Sequence, residues 1–125
     1  MCQFRILIVV TVLCASPATL ALAGSPAGLW ERPSSGTKIR FYDCAGKLCA
    51  RIESVKDPAR RKTVGTVIMN GGQKVSENRW KGKILNTENG KVYSGEAILT
   101  GGGLRLQGCV LGGLICSGET WRRVQ

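Results

Sequence analysis

Phe41-Tyr42-Asp43-Cys44-Ala45-Gly46-Lys47-Leu48-Cys49-Ala50-Arg51-Ile52 is the stretch from which the fold can be read. Aromatic and β-branched residues alternate with polar ones on both sides of Ala45-Gly46, and a cysteine stands on each arm. Alternation of this kind marks half-buried strands, and a small-residue pair between them marks a hairpin turn. The stretch predicts a hairpin carrying a disulfide. The rest of the chain repeats that plan.

Turn signals recur at Pro33-Ser34-Ser35-Gly36, Asp57-Pro58, Asn70-Gly71-Gly72, Asn89-Gly90, Gly101-Gly102-Gly103 and Gly112-Gly113. Between them the spacing predicts eight strands near 28–32, 38–43, 48–55, 63–69, 79–87, 91–99, 104–110 and 117–124, with no convincing helix. This indicates an all-β fold, a small antiparallel eight-stranded up-and-down barrel of lipocalin-like shape, with an open β-sandwich as the alternative. Lys56 to Lys62 reads as the least ordered stretch.

Ahead of the domain, Arg5 is followed by the apolar run Ile6 to Leu13 and by small residues ending at Ala23. A charged start, a short apolar run and a small-x-small site form a secretory signal peptide, 1–23. The run is too short and too broken at Ser16-Pro17 for a membrane span. The domain is then 24–125, and the expected location is the bacterial periplasm or the extracellular medium. Loss of Arg5 lowers the formal charge from +10 to +9. So basic a chain suits acidic partners. Export argues against nucleic acid, and a basic surface with no dedicated partner is the plainer reading.

Cys2 and Cys14 leave with the signal, and Cys44, Cys49, Cys109 and Cys116 remain. An even count in a small exported domain predicts two disulfides. The spacings do not suit a zinc knuckle, so no metal is expected. Opposing Cys44 to Cys49 places Phe41 across from Ile52, and opposing Cys109 to Cys116 places Leu104 across from Trp121. A two-residue turn at Asn89-Gly90 places Lys83 across from Glu96 and Trp80 across from Leu99. All four cysteines then face outward. In an up-and-down meander the two hairpins lie at opposite ends, so the expected pairs are Cys44–Cys49 and Cys109–Cys116. The inward set is Ile39, Phe41, Leu48, Ala50, Ile52, Trp80, Ile84, Tyr93, Ala97, Leu99, Leu104, Leu106 and Trp121, with Gly82, Gly95 and Gly108. Closure would pair the first strand with the last and bring Trp30 near Trp121 and Arg122-Arg123.

Gly28-Leu29-Trp30, with Arg122-Arg123 near the end, resembles the lipocalin-like (calycin) plan. That resemblance implies a basic residue from the last strand packed over the tryptophan. Wider blocks are similar to the bacterial domain of unknown function family 2147. They are Gly28-Leu29-Trp30, Tyr42-Asp43-Cys44 to Leu48-Cys49, Gly90 to Gly95, and Gly108 to Cys116 with Thr120 to Val124. The resemblance implies a small exported β protein with no assigned activity and no catalytic residues to carry over. The segment from Lys56 to Lys62 departs from it, being short and basic where family members often have a longer acidic loop.

The chain has no histidine, which removes the usual general base and the commonest metal ligand. Oxidised cysteines are not nucleophiles. Strand parity turns Asp43 and Glu119 inward, but at opposite ends of the barrel. Asp43 reads as a turn residue and Glu119 as a rim carboxylate paired with an arginine. No enzyme and no cofactor are expected. The leading expectation is a binding module. A small apolar ligand would sit among Trp80, Tyr93 and Trp121 beside Glu119. An anionic envelope component would contact Arg60, Arg61 and Lys62. The three aromatics read more readily as core than as pocket. A filled-core interaction protein of the envelope is the second expectation, and an enzyme using the inward Glu119 is the third.

Overall fold

The structure is a computed structural model, which describes residues 24–124. Positions 1–23 lie outside the described residues, and with them the expected signal peptide. Eight antiparallel strands run β1 (Gly28–Glu31), β2 (Lys38–Cys44), β3 (Lys47–Ser54), β4 (Val67–Ser76), β5 (Arg79–Leu85), β6 (Val92–Thr100), β7 (Gly103–Val110) and β8 (Ile115–Arg123). Each pairs with its neighbours in the chain, and β8 returns to β1 to close the barrel. Closure removes the free sheet edges that would otherwise template aggregation. Two short 3₁₀ turns, Pro58–Thr63 and Leu111–Gly113, are the helical elements among the described residues.

The meander gives the barrel two unlike ends. At one end the connections are tight: Ala45-Gly46, Glu77-Asn78 and Gly101-Gly102. At the other they are longer: 32–37, 55–66, 86–91 and 111–114. The stretch expected to be the least ordered holds a 3₁₀ turn, Pro58–Thr63. Asp57 accepts from the Ala59 amide at 2.9 Å, and Pro58 supplies the preset φ of a first turn.

The parity expected for the inward residues holds, but two registers differ by two residues. Ala45-Gly46 is a two-residue turn, both residues at positive φ (58° and 82°), so Cys44 faces Lys47 and Phe41 faces Ala50 rather than Ile52. These angles are those of the turn whose twist best matches flanking strands. Asn89-Gly90 sits instead in a six-residue connection: the Asn86 amide donates to the Lys91 carbonyl and the Gly90 amide to the Asn86 carbonyl, both at 2.8 Å. Lys83 therefore faces Ser94, and Trp80 faces Ala97. Cys109 faces Cys116 and Leu104 faces Trp121, as expected.

Asn70-Gly71-Gly72 is not a turn. Leu48 pairs with Gly72 and Cys49 with Asn70, leaving Gly71 as an extra residue at φ 89°. This is a β-bulge, and a left-handed glycine serves a bulge as well as a turn. A second irregularity leaves Ile68 between Met69 (facing Ala50) and Val67 (facing Arg51). Adjacent Ile68 and Met69 are consequently both buried, which strict alternation would not allow. Beside the bulge the backbones of β4 and β5 come close. A Cβ placed on Gly82 would lie 3.1 Å from the Gly72 Cα.

The core contains Trp30, Ile39, Phe41, Leu48, Ala50, Ile52, Ile68, Met69, Trp80, Ala97, Leu104, Leu106 and Trp121. Phe41 meets Trp121 edge to face, with centroids 6.1 Å apart. Closure rests on two residue pairs, Trp30–Arg123 and Glu31–Arg122. Side chains reinforce this thin ladder. The Arg122 Nε donates to Glu31 at 2.8 Å. The Arg123 guanidinium lies 4.3 Å over the Trp30 ring and donates to the Ala27 and Ser25 carbonyls at 2.9 and 2.6 Å. The basic residue that the lipocalin-like resemblance implied is thus Arg123. The disulfides are Cys44–Cys49 and Cys109–Cys116.

Candidate functional site

The barrel is filled at its tight-turn end and open at the other. Phe41, Leu48, Met69 and Leu104 are almost wholly buried. Toward the long connections the interior widens into a cavity of about 530 Å³. Ile39, Ile52, Ile68, Ile84 and Leu106 line it, with Tyr93 and Trp121 as its aromatic walls. All but Ile68 project inward by strand parity on β2, β3, β5, β6, β7 and β8, and the irregularity in β4 brings Ile68 to join them. Eight strands enclose a bore of the size that holds one small molecule.

Polar groups gather at the mouth. Glu119, on β8 opposite Leu106, points into the bore two residues before Trp121. Its Oε1 accepts from Arg32 Nε at 2.6 Å, Ser34 Oγ at 3.0 Å and Trp121 Nε1 at 3.2 Å. Arg32 follows β1 directly. Its loop is closed by the Arg32 amide donating to the Thr37 carbonyl and the Gly36 amide donating to the Arg32 carbonyl, both at 2.8 Å. Arg32 also lies 3.6 Å from Glu88 of the β5–β6 connection, and Arg60 of the 3₁₀ turn lies 3.7 Å from the same carboxylate oxygen. Glu119, Arg32, Glu88 and Arg60 therefore form a chain of opposite charges across the mouth, drawn from four separate segments. Each link is partly exposed and individually weak. Together they hold the long connections in register around the opening.

Tyr93, Trp121, Glu119 and Arg60 all come to this cavity. Trp80 does not: it is buried in the core toward the tight-turn end, with Lys74 Nζ 5.7 Å from its ring centroid. Arg61 and Lys62 do not line the cavity either; both are exposed on the 3₁₀ turn. Asp43 is a turn residue at the opposite end, its Oδ2 accepting from the Gly46 amide at 3.4 Å. The outward basic row on β5 is occupied by its neighbours. Arg79 and Lys81 lie 2.9 and 3.6 Å from Glu96, and Lys83 donates to Ser94 at 3.2 Å. Arg32 and Glu88 are missing from the residues expected at the site. Both sit in connections, where no periodicity reports direction. An arginine directly after a strand and before Pro33 was the one available cue.

A second depression, of about 620 Å³, lies at the opposite end between Trp30, Asn78, Arg123 and the Gly101–Gly103 turn. Glu77, Leu99 and Thr100 also line it, and it lies outside the packed core between turns, whereas the mouth cavity continues the barrel's own bore and is the better site. No group of three metal-ligating side chains occurs among the described residues.

A family model described as "uncharacterized protein conserved in bacteria (DUF2147)" matches residues 28–123. No curated protein and no solved structure matches the chain. Among the described residues no helix is long and apolar enough to cross a membrane. Two disulfides in a bacterial domain are compatible with an exported protein.

Proposed function

Given that the chain belongs to the DUF2147 family, whose description assigns no activity, we propose from the barrel itself that it is a non-enzymatic binding module for a small, largely apolar molecule. The observation that carries this is the cavity of about 530 Å³, closed below by packed core and open above among Arg32, Glu88 and Glu119. Its volume is in the range of ordinary ligand sites, and an apolar floor gives way to polar side chains converging at the mouth. A filled-core reading has no such space. The ligand's apolar body lies against Ile39, Ile52, Ile68 and Ile84, and any polar end meets the Arg32–Glu119 pair.

The test uses the neutral fluorophore N-phenyl-1-naphthylamine, whose emission rises in apolar surroundings. The protein is expected to bind it, and Ile84→Trp, which fills cavity space at a partly exposed position, weakens binding about tenfold or more. Lys74→Ala, outside the cavity, leaves it unchanged. Absence of probe binding to the native protein, or equal binding by Ile84→Trp, overturns the reading.

A further inference from the structure

We infer that the tip of the β7–β8 hairpin is a membrane-docking surface that seats the mouth of the barrel on an anionic lipid bilayer. The inference rests chiefly on Leu111 and Leu114, which lie outside the cavity lining. Among the described residues nine large apolar side chains are exposed, and seven of them lie at the mouth end. Four sit together on the hairpin, Val110, Leu111, Leu114 and Ile115, the first and last of them at the rim of the cavity, and Val92 lies on the outer face of the neighbouring β6. Leu111 is 68% exposed and Leu114 80%. From Leu106 to Gly118 the chain carries no charged residue. Contiguous apolar surface of this kind marks an interaction site.

The tip is also held in this form. Cys109–Cys116 ties its base. Leu111 has φ 55°, a left-handed conformation that leucine rarely adopts. Neither this backbone conformation nor the exposure of the side chains stabilises the isolated barrel, and strain of that sort collects at functional sites.

Charge around the tip selects the partner. Lys56, Arg61, Lys62 and Lys91 are exposed on the connections at this same end. Among the described residues none of the four lies within 4 Å of a carboxylate, whereas Arg32 and Arg60 are taken up by Glu88 and Glu119. Of the acids on these connections, Glu88 is thus engaged, and Asp57 caps its own turn. An apolar tip on the same end of the barrel as these cations matches a bilayer with anionic headgroups: the apolar residues enter the interface and the cations meet the phosphates. A second protein chain would bring no comparable match to both features. Docked in this way, the cavity mouth faces the lipid.

The experiment is vesicle co-sedimentation of the natural chain, purified with both disulfides formed, on phosphatidylglycerol and on phosphatidylcholine vesicles. Binding to phosphatidylglycerol is expected, with at least about tenfold weaker binding to phosphatidylcholine and a decline with added salt. The double substitution Leu111→Asn and Leu114→Asn should lower binding to phosphatidylglycerol about tenfold or more. Asparagine tolerates the left-handed conformation, so the fold is retained, as near- and far-ultraviolet circular dichroism will show. Arg61→Glu with Lys62→Glu should weaken binding and flatten its salt dependence. Three results overturn the inference. They are no binding to phosphatidylglycerol at low salt, loss on charge reversal with none in the asparagine pair, and a native dimer that the asparagine pair turns into a monomer without changing vesicle binding.

Discussion

The barrel carries two disulfide hairpins, one at each end, and they are built on opposite principles. At β2–β3 the turn is two residues long, its tip of Ala45-Gly46 carries no large apolar side chain, and the bridge runs diagonally, from Cys44 (facing Lys47) to Cys49 (facing Tyr42). Cys49 is 2% exposed, enclosed between Tyr42 on one flank and Asn70 on the other. At β7–β8 the bridge joins directly opposed residues, and everything it encloses, Val110 to Ile115, is exposed. The first bridge is part of the packing. The second clamps a segment whose side chains are exposed, with Val110 and Ile115 at the rim of the cavity. The same covalent device thus serves burial at one end and display at the other.

The largest expected effect separates the two. Replacing Cys44 and Cys49 by alanine should cost about 3–4 kcal/mol, the loop-closure contribution plus loss of a buried sulfur. Replacing Cys109 and Cys116 should cost about 2 kcal/mol, the loop-closure contribution alone. Guanidinium titrations measure both, and equal losses would erase the distinction. Against the about 5–15 kcal/mol that holds a domain of this size, either change is substantial.

A smaller effect tests the turns. Ala45 and Leu111 are the non-glycine residues at positive φ among the described ones, one in each hairpin. Ala45→Asn creates the Asn-Gly pair that this turn type favours and should stabilise by about 1 kcal/mol. Leu111→Asn should stabilise to a similar degree while removing apolar surface from the tip. A stabilising change that abolishes vesicle binding would sharpen the contrast; a destabilising one would mean that Leu111 packs after all.

The smallest effect concerns the seam beside the second hairpin. The Arg122 guanidinium holds the Glu31 carboxyl below its ordinary value of 4.5, against the opposing pull of burial. The folded state then binds fewer protons than the unfolded one. The contribution of this contact is complete above about pH 4.5 and is lost as pH falls through the lowered value. Glu53, held down in the same direction by Arg40, adds to the acid sensitivity. Amide protection on β1, taken relative to the intrinsic exchange rate at each pH, should therefore fall in acid with both disulfides intact, and Glu31→Gln should remove that part of the pH dependence. Protection of β1 unchanged between pH 6 and about pH 3 would show that the seam does not depend on this pair.

The faces of the strands were legible in the sequence, and so was the pairing of the cysteines. Two of the three proposed registers were wrong by two residues, yet every side chain kept its face, because a slip of two preserves parity. Turn length was the unreadable quantity. Ala45-Gly46 can close a two-residue or a four-residue turn, and Asn89-Gly90 can stand alone or within a longer connection. β4 was misplaced because left-handed glycine means turn or bulge according to what lies across from it, and one chain in isolation does not say. Half of the candidate site followed from alternation: Tyr93, Glu119 and Trp121 point inward wherever the register falls. The other half, Arg32 and Glu88, reaches the mouth through connections whose path is set by the closed barrel.

Closure has a bearing on how the fold assembles. Seven of the eight ladders join strands adjacent in the chain, and only the seam joins residues as far apart as Glu31 and Arg122. The local ladders can form in any order as hairpins, each with a short loop to close. The seam, two residue pairs long, is too thin to draw the chain ends together by itself. It forms once the other seven have curled the sheet far enough to present β1 to β8. On this ordering closure is the step that joins the two ends of the meander, and Arg122 and Arg123 are the side chains at the joint.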